Sequence, residues 1–131
     1  MNNRFVVDTH AILWFLIKDK RLSYKAHSIL VQAEQGQVEI LISTIVLAEL
    51  LYICEKAKSS IPFKKILQSL VQNKSFTVVP FDFSIFKEML RLTKELEMHD
   101  RIIVATAQLY NAKIITKDRI IKKLSGIDYI W

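Results

Sequence analysis

Four acidic residues, Asp8, Glu49, Asp100 and Asp118, stand where an apolar strand ends or inside an otherwise apolar helix. Carboxylates in such surroundings are costly unless they are hydrogen-bonded, paired or bound to metal. Two or three carboxylates with retained waters are a common protein contribution to a Mg²⁺ or Mn²⁺ site. Such a site activates water and hydrolyses phosphodiesters. Each acid also has a plainer use. Asp8 suits the N-cap of a helix starting at Thr9, Asp100 the cap for Arg101 onward, and Asp118, in Thr-Lys-Asp-Arg, a turn or cap. Glu49 fits the plainer use least, being the only charge between Ile40 and Cys54 on a helix apolar nearly all round.

The elements that must position these acids alternate. Arg4 to Val7 reads as a short buried strand and Thr9 to Ile17 as the helix after it. Ser23 caps a second helix that stops near Gly36. Glu39 to Ile42 is the next strand, after which Ser43 or Thr44 caps a helix to about Lys58. The Lys56 to Pro62 stretch reads as an inter-helix turn, and Pro62 opens a helix to about Asn73. Phe76 to Val79 is a strand, and Asp82 or Ser84 caps a helix to about Met98. Another helix runs from Asp100 to Asn111, followed by the strand Lys113 to Thr116, a short helix from Asp118 to Leu124, and a last strand, Asp128 to Ile130. Strands separated by helices imply parallel pairing with right-handed crossovers, hence a three-layer α/β/α domain with a mostly parallel sheet of about five strands. In such sheets reactive groups collect beyond the carboxyl ends of the strands. All four acids fall there, although up to 110 residues separate them.

Composition bounds the partners. With 131 residues, 51% of them hydrophobic, the chain holds one core, so residues 1–131 are expected to form a single domain. No apolar run approaches the roughly 18 residues of a membrane span, and Asp8 and His10 interrupt what would be a signal segment, so a cytoplasmic location is expected. Cys54, the lone cysteine, excludes an intrachain disulfide and a cysteine-based zinc site. Nineteen basic against thirteen acidic residues leave +6, or +10 once four acids are neutralised and nine remain. A basic body around an acidic spot suits a polyanion that must approach metal-bearing carboxylates, though lysines on solvated helix faces account for the excess equally well.

Val-Val-Asp-Thr-His-Ala-Ile-Leu-Trp at 6–14, Ser-Thr-Ile-Val-Leu-Ala-Glu-Leu at 43–50, His-Asp-Arg-Ile-Ile-Val-Ala-Thr-Ala at 99–107 and Ile-Ile-Thr-Lys-Asp at 114–118 resemble the PIN-domain family, specifically its VapC-like toxin branch. The four motifs occur in order over nearly the whole chain, while Glu55 to Glu97 matches only in its pattern of elements. The resemblance implies a metal-dependent endoribonuclease with Asp8, Glu49 and Asp100 as central ligands of Mg²⁺ or Mn²⁺ and Asp118 as a fourth, acting directly or through water. Thr9, Ser43 and Thr116 would support them, or serve as caps and strand ends. The implied route needs no histidine, which leaves His10, His27 and His99 as bystanders. Arg101, Lys117 and Arg119 flank the acids and suit phosphates or open surface; Trp14, Phe15 and Tyr24 suit base stacking or, more ordinarily, core and interface. The implied substrate is single-stranded or structured RNA. The implied partners are a cognate antitoxin, whose apolar helix would fill a groove, and a second copy in a homodimer. A dehalogenase-like phosphatase would need a second aspartate where His10 stands, and a receiver domain a paired acidic cluster. An RNA-processing nuclease without an antitoxin shares the same residues, as would a silent binding module, although binding gains nothing from four repelling carboxylates.

Overall fold

The middle of the sheet comes from segments with no exposed face. Phe5 to Val7, Ile40 to Ile42 and Ile114 to Ile115 are all buried, as expected of strands covered by helices on both sides. The computed structural model describes residues 3–57, 62–124 and 126–131. Their order is β1 (Arg4–Val7), α1 (Thr9–Leu16), α2 (Tyr24–Glu34), β2 (Glu39–Ser43), α3 (Thr44–Lys56), α4 (Phe63–Gln72), β3 (Phe76–Val79), α5 (Phe83–Met89), α6 (Met98–Leu109), β4 (Lys113–Ile115), α7 (Arg119–Lys122) and β5 (Tyr129–Ile130). The sheet order is β3-β2-β1-β4-β5, and every pairing is parallel. Most of the inter-helix turn expected from Lys56 to Pro62 lies outside the described residues.

This order contains a switch point. From β1 the chain moves outward through β2 and β3, then returns to lay β4 on the other side of β1. The loops after β1 and β4 therefore diverge and leave a crevice between them, where α/β sheets bind ligands. Asp8 follows β1 directly, and its backbone N–H donates to Ile115 O at 3.1 Å, extending the ladder into the crevice.

The helices form where their caps allow. Asp8, Ser23, Ser43, Asp82 and Asp118 each accept a backbone N–H from the first turn that follows, a contact worth about 1 kcal/mol. Gly36 closes the turn after α2 at φ 80°, a conformation that disfavours a side chain. The core is continuous from α1 and α3 across the sheet, and α6 is buried without interruption from Ile102 to Ala107. Its outer side packs against Ile85 and Met89 of α5, so α6 has apolar neighbours on two sides.

Two helices depart from the expectation, for one reason. The helix predicted to run to Met98 stops at Met89, and α6 begins at Met98 instead of Asp100. Arg101 reaches back from α6: Nε donates to Met89 O at 2.9 Å and Nη2 to Leu92 O at 3.1 Å. Those bonds supply carbonyls near the end of α5 with donors that a further helical turn would have provided. Thr93 Oγ1 accepts the N–H of Glu95 in the connecting turn, and Leu96 is buried. Asp100 thus sits inside the first turn of α6, with Glu97 at the N-cap position, so the capping role that was the plainer alternative for it does not apply.

Candidate functional site

Asp8 and Asp118 face one another across the crevice from two strand ends. Asp8 Oδ1 accepts Ala11 N–H at 3.0 Å. Asp118 Oδ1 accepts Ile120 and Ile121 N–H at 2.8 and 3.0 Å. Cap and ligand are therefore not rival roles here, because capping fixes one oxygen of each carboxylate and holds the group in a set orientation. Thr116, fully buried at the end of β4, accepts Asp118 N–H at 3.0 Å and also hydrogen-bonds the Asp8 side chain. One hydroxyl thus couples the two acids.

The helices bring the other two. Glu49, on α3, has Oε1 held at 2.8 Å by the hydroxyl of Thr9, which is buried at the start of α1. Asp100 enters from the first turn of α6, where a negative charge is favoured by the helix dipole. Its side chain is only 15% exposed, and Oδ1 lies 3.3 Å from His99 Nε2. All four acids line a single cleft of about 500 Å³ together with Thr9, Trp14, Arg21, Glu97, His99 and Lys117.

The electrostatics are those of crowded carboxylates. Burial pushes Asp8 above its ordinary value against the hydrogen bonds from Thr116 and Ala11, and the charge of Asp118 adds to the rise. Burial likewise raises Asp100 to about 6, opposed by His99 and reinforced by Asp118, Glu97 and Asp8. A cation among them relieves that repulsion. The donor set is rich in hard oxygens, the chemistry that suits Mg²⁺ or Mn²⁺, and Asp8, Glu49, Asp100 and Asp118 are the residues that could hold one. Among the described residues, the group whose ligand atoms all lie within 4.8 Å of one another is Glu97, His99 and Asp100. The wider spacing of the four acids leaves room for the waters that a Mg²⁺ ion retains.

Several expectations about the surroundings change. Ser43 caps α3 through Ile45 N–H, whereas Thr9 and Thr116 bind carboxylates. Arg101 is spent on the carbonyls of Met89 and Leu92 and does not line the cleft; nor does Arg119, whereas Lys117 does. His10 and His99 both line it, although neither was needed by the sequence argument. Phe15 and Tyr24 line a separate cavity of about 720 Å³ beside α2. Glu97 and Arg21 were missed. A signal for Glu97 existed in its spacing of three from Asp100, but Arg21 lies in an unpatterned turn and only the folded chain places it.

A model of the PIN domain matches residues 5–127. None of the curated proteins compared with the sequence matches it. Among solved structures, the chain is similar to VapBC2 from Rickettsia felis bound to a promoter DNA fragment, at 18% identity and TM-score 0.73 with 97% of each chain covered. It is similar to a toxin-antitoxin complex from Klebsiella pneumoniae, at 25% identity and TM-score 0.63 over 96% of this chain and 95% of that one. It also resembles DNA-bound VapBC from Salmonella typhimurium, at 19% identity and TM-score 0.67 over 99% and 98%.

Proposed function

This chain belongs to the PIN-domain family, and from that premise we propose that it is a metal-dependent endoribonuclease acting as the toxin of a toxin-antitoxin pair. The observation that carries the proposal is the meeting of Asp8, Glu49, Asp100 and Asp118, from four separate elements, in one cleft at the switch point of the sheet. A nuclease role suits a family that generally cuts nucleic acids.

In this reading the four acids hold Mg²⁺ or Mn²⁺, directly or through water. When held there, the ion would supply a water of lowered pKa and positive charge to offset that developing on the leaving 3′ oxygen. The protein's part is orientation. Thr9 aims Glu49, Thr116 aims Asp8, and the caps of α1 and α7 keep Asp8 and Asp118 from turning away. Lys117, at the cleft, meets the approaching phosphate. The products carry 5′ phosphate and 3′ hydroxyl ends.

RNA is the substrate proposed because a net charge of +6 collects a polyanion, and single-stranded segments can be drawn into a cleft of this size. The named toxin-antitoxin relatives support an antitoxin partner; a homodimer is the form proposed to bind it. Among the described residues no helix is long and apolar enough to cross a membrane; the proposed place of action is the cytoplasm, where RNA is available.

The test is cleavage of total cellular RNA by the purified protein with Mn²⁺ or Mg²⁺, beside Asp8→Asn and an EDTA control. Discrete metal-dependent fragments with 3′ hydroxyl ends, lost in the variant, are expected. Equal cleavage by wild type and Asp8→Asn would sink the site, and no cleavage by protein shown by mass spectrometry to carry no bound peptide would sink the nuclease.

A further inference from the structure

Beside the acids lies a second cluster, built on an aromatic ring. Trp14 is 7% exposed, yet two cations meet its ring: the Arg21 guanidinium carbon at 4.7 Å from the centroid and Lys117 Nζ at 5.6 Å. Both are within the range of cation-π attraction. Trp14, Arg21 and Lys117 line the same cleft as the four acids.

Arg21 is held in place before any ligand arrives. After α1 the chain turns through Lys18 at φ 58°, and Asp19 N–H donates back to Trp14 O at 2.8 Å. Asp19 then accepts from Arg21 Nε at 3.1 Å and Nη2 at 2.7 Å, as well as from its backbone N–H at 2.9 Å. These bonds use Nε and Nη2 and not Nη1, and the side chain is still 62% exposed. A surface arginine ordinarily loses rotamer freedom when it binds. Here the bonds to Asp19 already restrict that freedom, which lowers the ordering cost of an anion contact at Nη1.

We propose that Arg21, stacked on Trp14 with Lys117 against the same ring, grips a backbone phosphate of single-stranded RNA and so positions the strand against the acid cleft. The inference rests on the ribonuclease reading and adds the residue that sets substrate binding. Arg21 Nη1 and Lys117 Nζ donate to the phosphate oxygens, and the buried indole keeps water off one face of the guanidinium, which strengthens its remaining bonds. Trp14 serves as the platform for the cations and does not stack on a base.

The test has two arms. Metal-dependent cleavage of total RNA by wild type establishes the parent reading. Binding of a short fluorescein-labelled single-stranded oligoribonucleotide of mixed sequence is then measured by anisotropy across a salt series, on Asp100→Asn protein with Mg²⁺, with and without Arg21→Ala. Arg21→Ala is expected to weaken binding about tenfold and to reduce the salt slope by about 0.7. In the active enzyme it raises KM about tenfold and changes kcat by no more than about twofold. Arg21→Lys keeps the charge without the planar fork and recovers only part of the loss. Lys65→Ala, which removes one charge on α4 away from the cleft, serves as the control for net charge. If wild type cleaves RNA but Arg21→Ala binds it with unchanged affinity and slope, this inference fails and the ribonuclease reading stands. Equal losses from Arg21→Ala and Lys65→Ala would reduce Arg21 to net charge and also overturn it. No cleavage and no binding by wild type would remove both.

Discussion

Asp100 shows how one carboxyl links chemistry to stability. Its pKa is raised from 3.8 to about 6 in the folded chain, first by burial and then by its acidic neighbours. The folded protein therefore keeps a proton that the unfolded chain has released, and metal-free stability falls as pH rises from about 4 through about 6. Asp100→Asn removes the cost. At pH 7 without metal the variant is expected to be more stable than wild type by about 1 kcal/mol, less than the full shift because water screens the open cleft. The gain vanishes near pH 4, and paired thermal melts at the two pH values check it; a variant less stable at both would make Asp100 a structural residue. Thr9 is the complementary case, since its hydroxyl holds Glu49 at 2.8 Å. Thr9→Val keeps the shape and loses that bond, so Mn²⁺ affinity, read by calorimetry, is expected to fall about tenfold while the melting temperature changes little.

At the scale of the element, the α5 to α6 connection decides where Asp100 stands. Arg101 ties the carbonyls of Met89 and Leu92, ending one helix and fixing the start of the next. Arg101→Ala is expected to cost about 1 to 3 kcal/mol in a urea melt. The salt dependence of RNA binding should stay as in wild type, which separates this structural arginine from a phosphate contact. A reduced salt slope in the variant would return Arg101 to the phosphate-binding role suggested by its place in the sequence. The exposed residues Phe81, Phe83, Phe86 and Leu90 lie on the α5 side of this connection, so loosening it also disturbs an exposed apolar surface.

For the whole molecule, a net charge of +6 accompanies a cleft that four acids line, and an ion bound by the folded state alone would couple that cleft to global stability. Millimolar Mn²⁺ is expected to raise the wild-type melting temperature by several degrees, consistent with about 1 to 3 kcal/mol of linkage. The same addition should leave Asp8→Asn nearly unmoved. An equal rise in both proteins would mean that the ion binds elsewhere, with the Glu97, His99 and Asp100 group as the first place to look.

Much of this arrangement was legible in the residues themselves. Apolar runs such as Phe5 to Val7 and Ile40 to Ile42 mark strands because alternation with helices leaves them no exposed face, and β3 runs from Phe76 to Val79 as read. Asp8, Asp118 and Glu49 could be singled out because a charge next to such runs needs a partner, and local caps at Ser23 and Ser43 follow from short-range hydrogen bonding. What could not be read depends on contacts between residues remote in space or unpatterned in sequence. Leu90 to Glu97 has no strong helix breaker, so only Arg101 folding back onto Met89 and Leu92 ends α5 and moves Asp100 from a cap into a helical turn. Arg21 sits in a turn with no periodicity, and its place on Trp14 depends on the left-handed Lys18 and the bonds of Asp19. The sequence by itself determined which groups carry charge into an apolar domain, since that is set by residue type and local period; the tertiary structure decided which of them share a cleft, since that follows from the order of strands around the switch point.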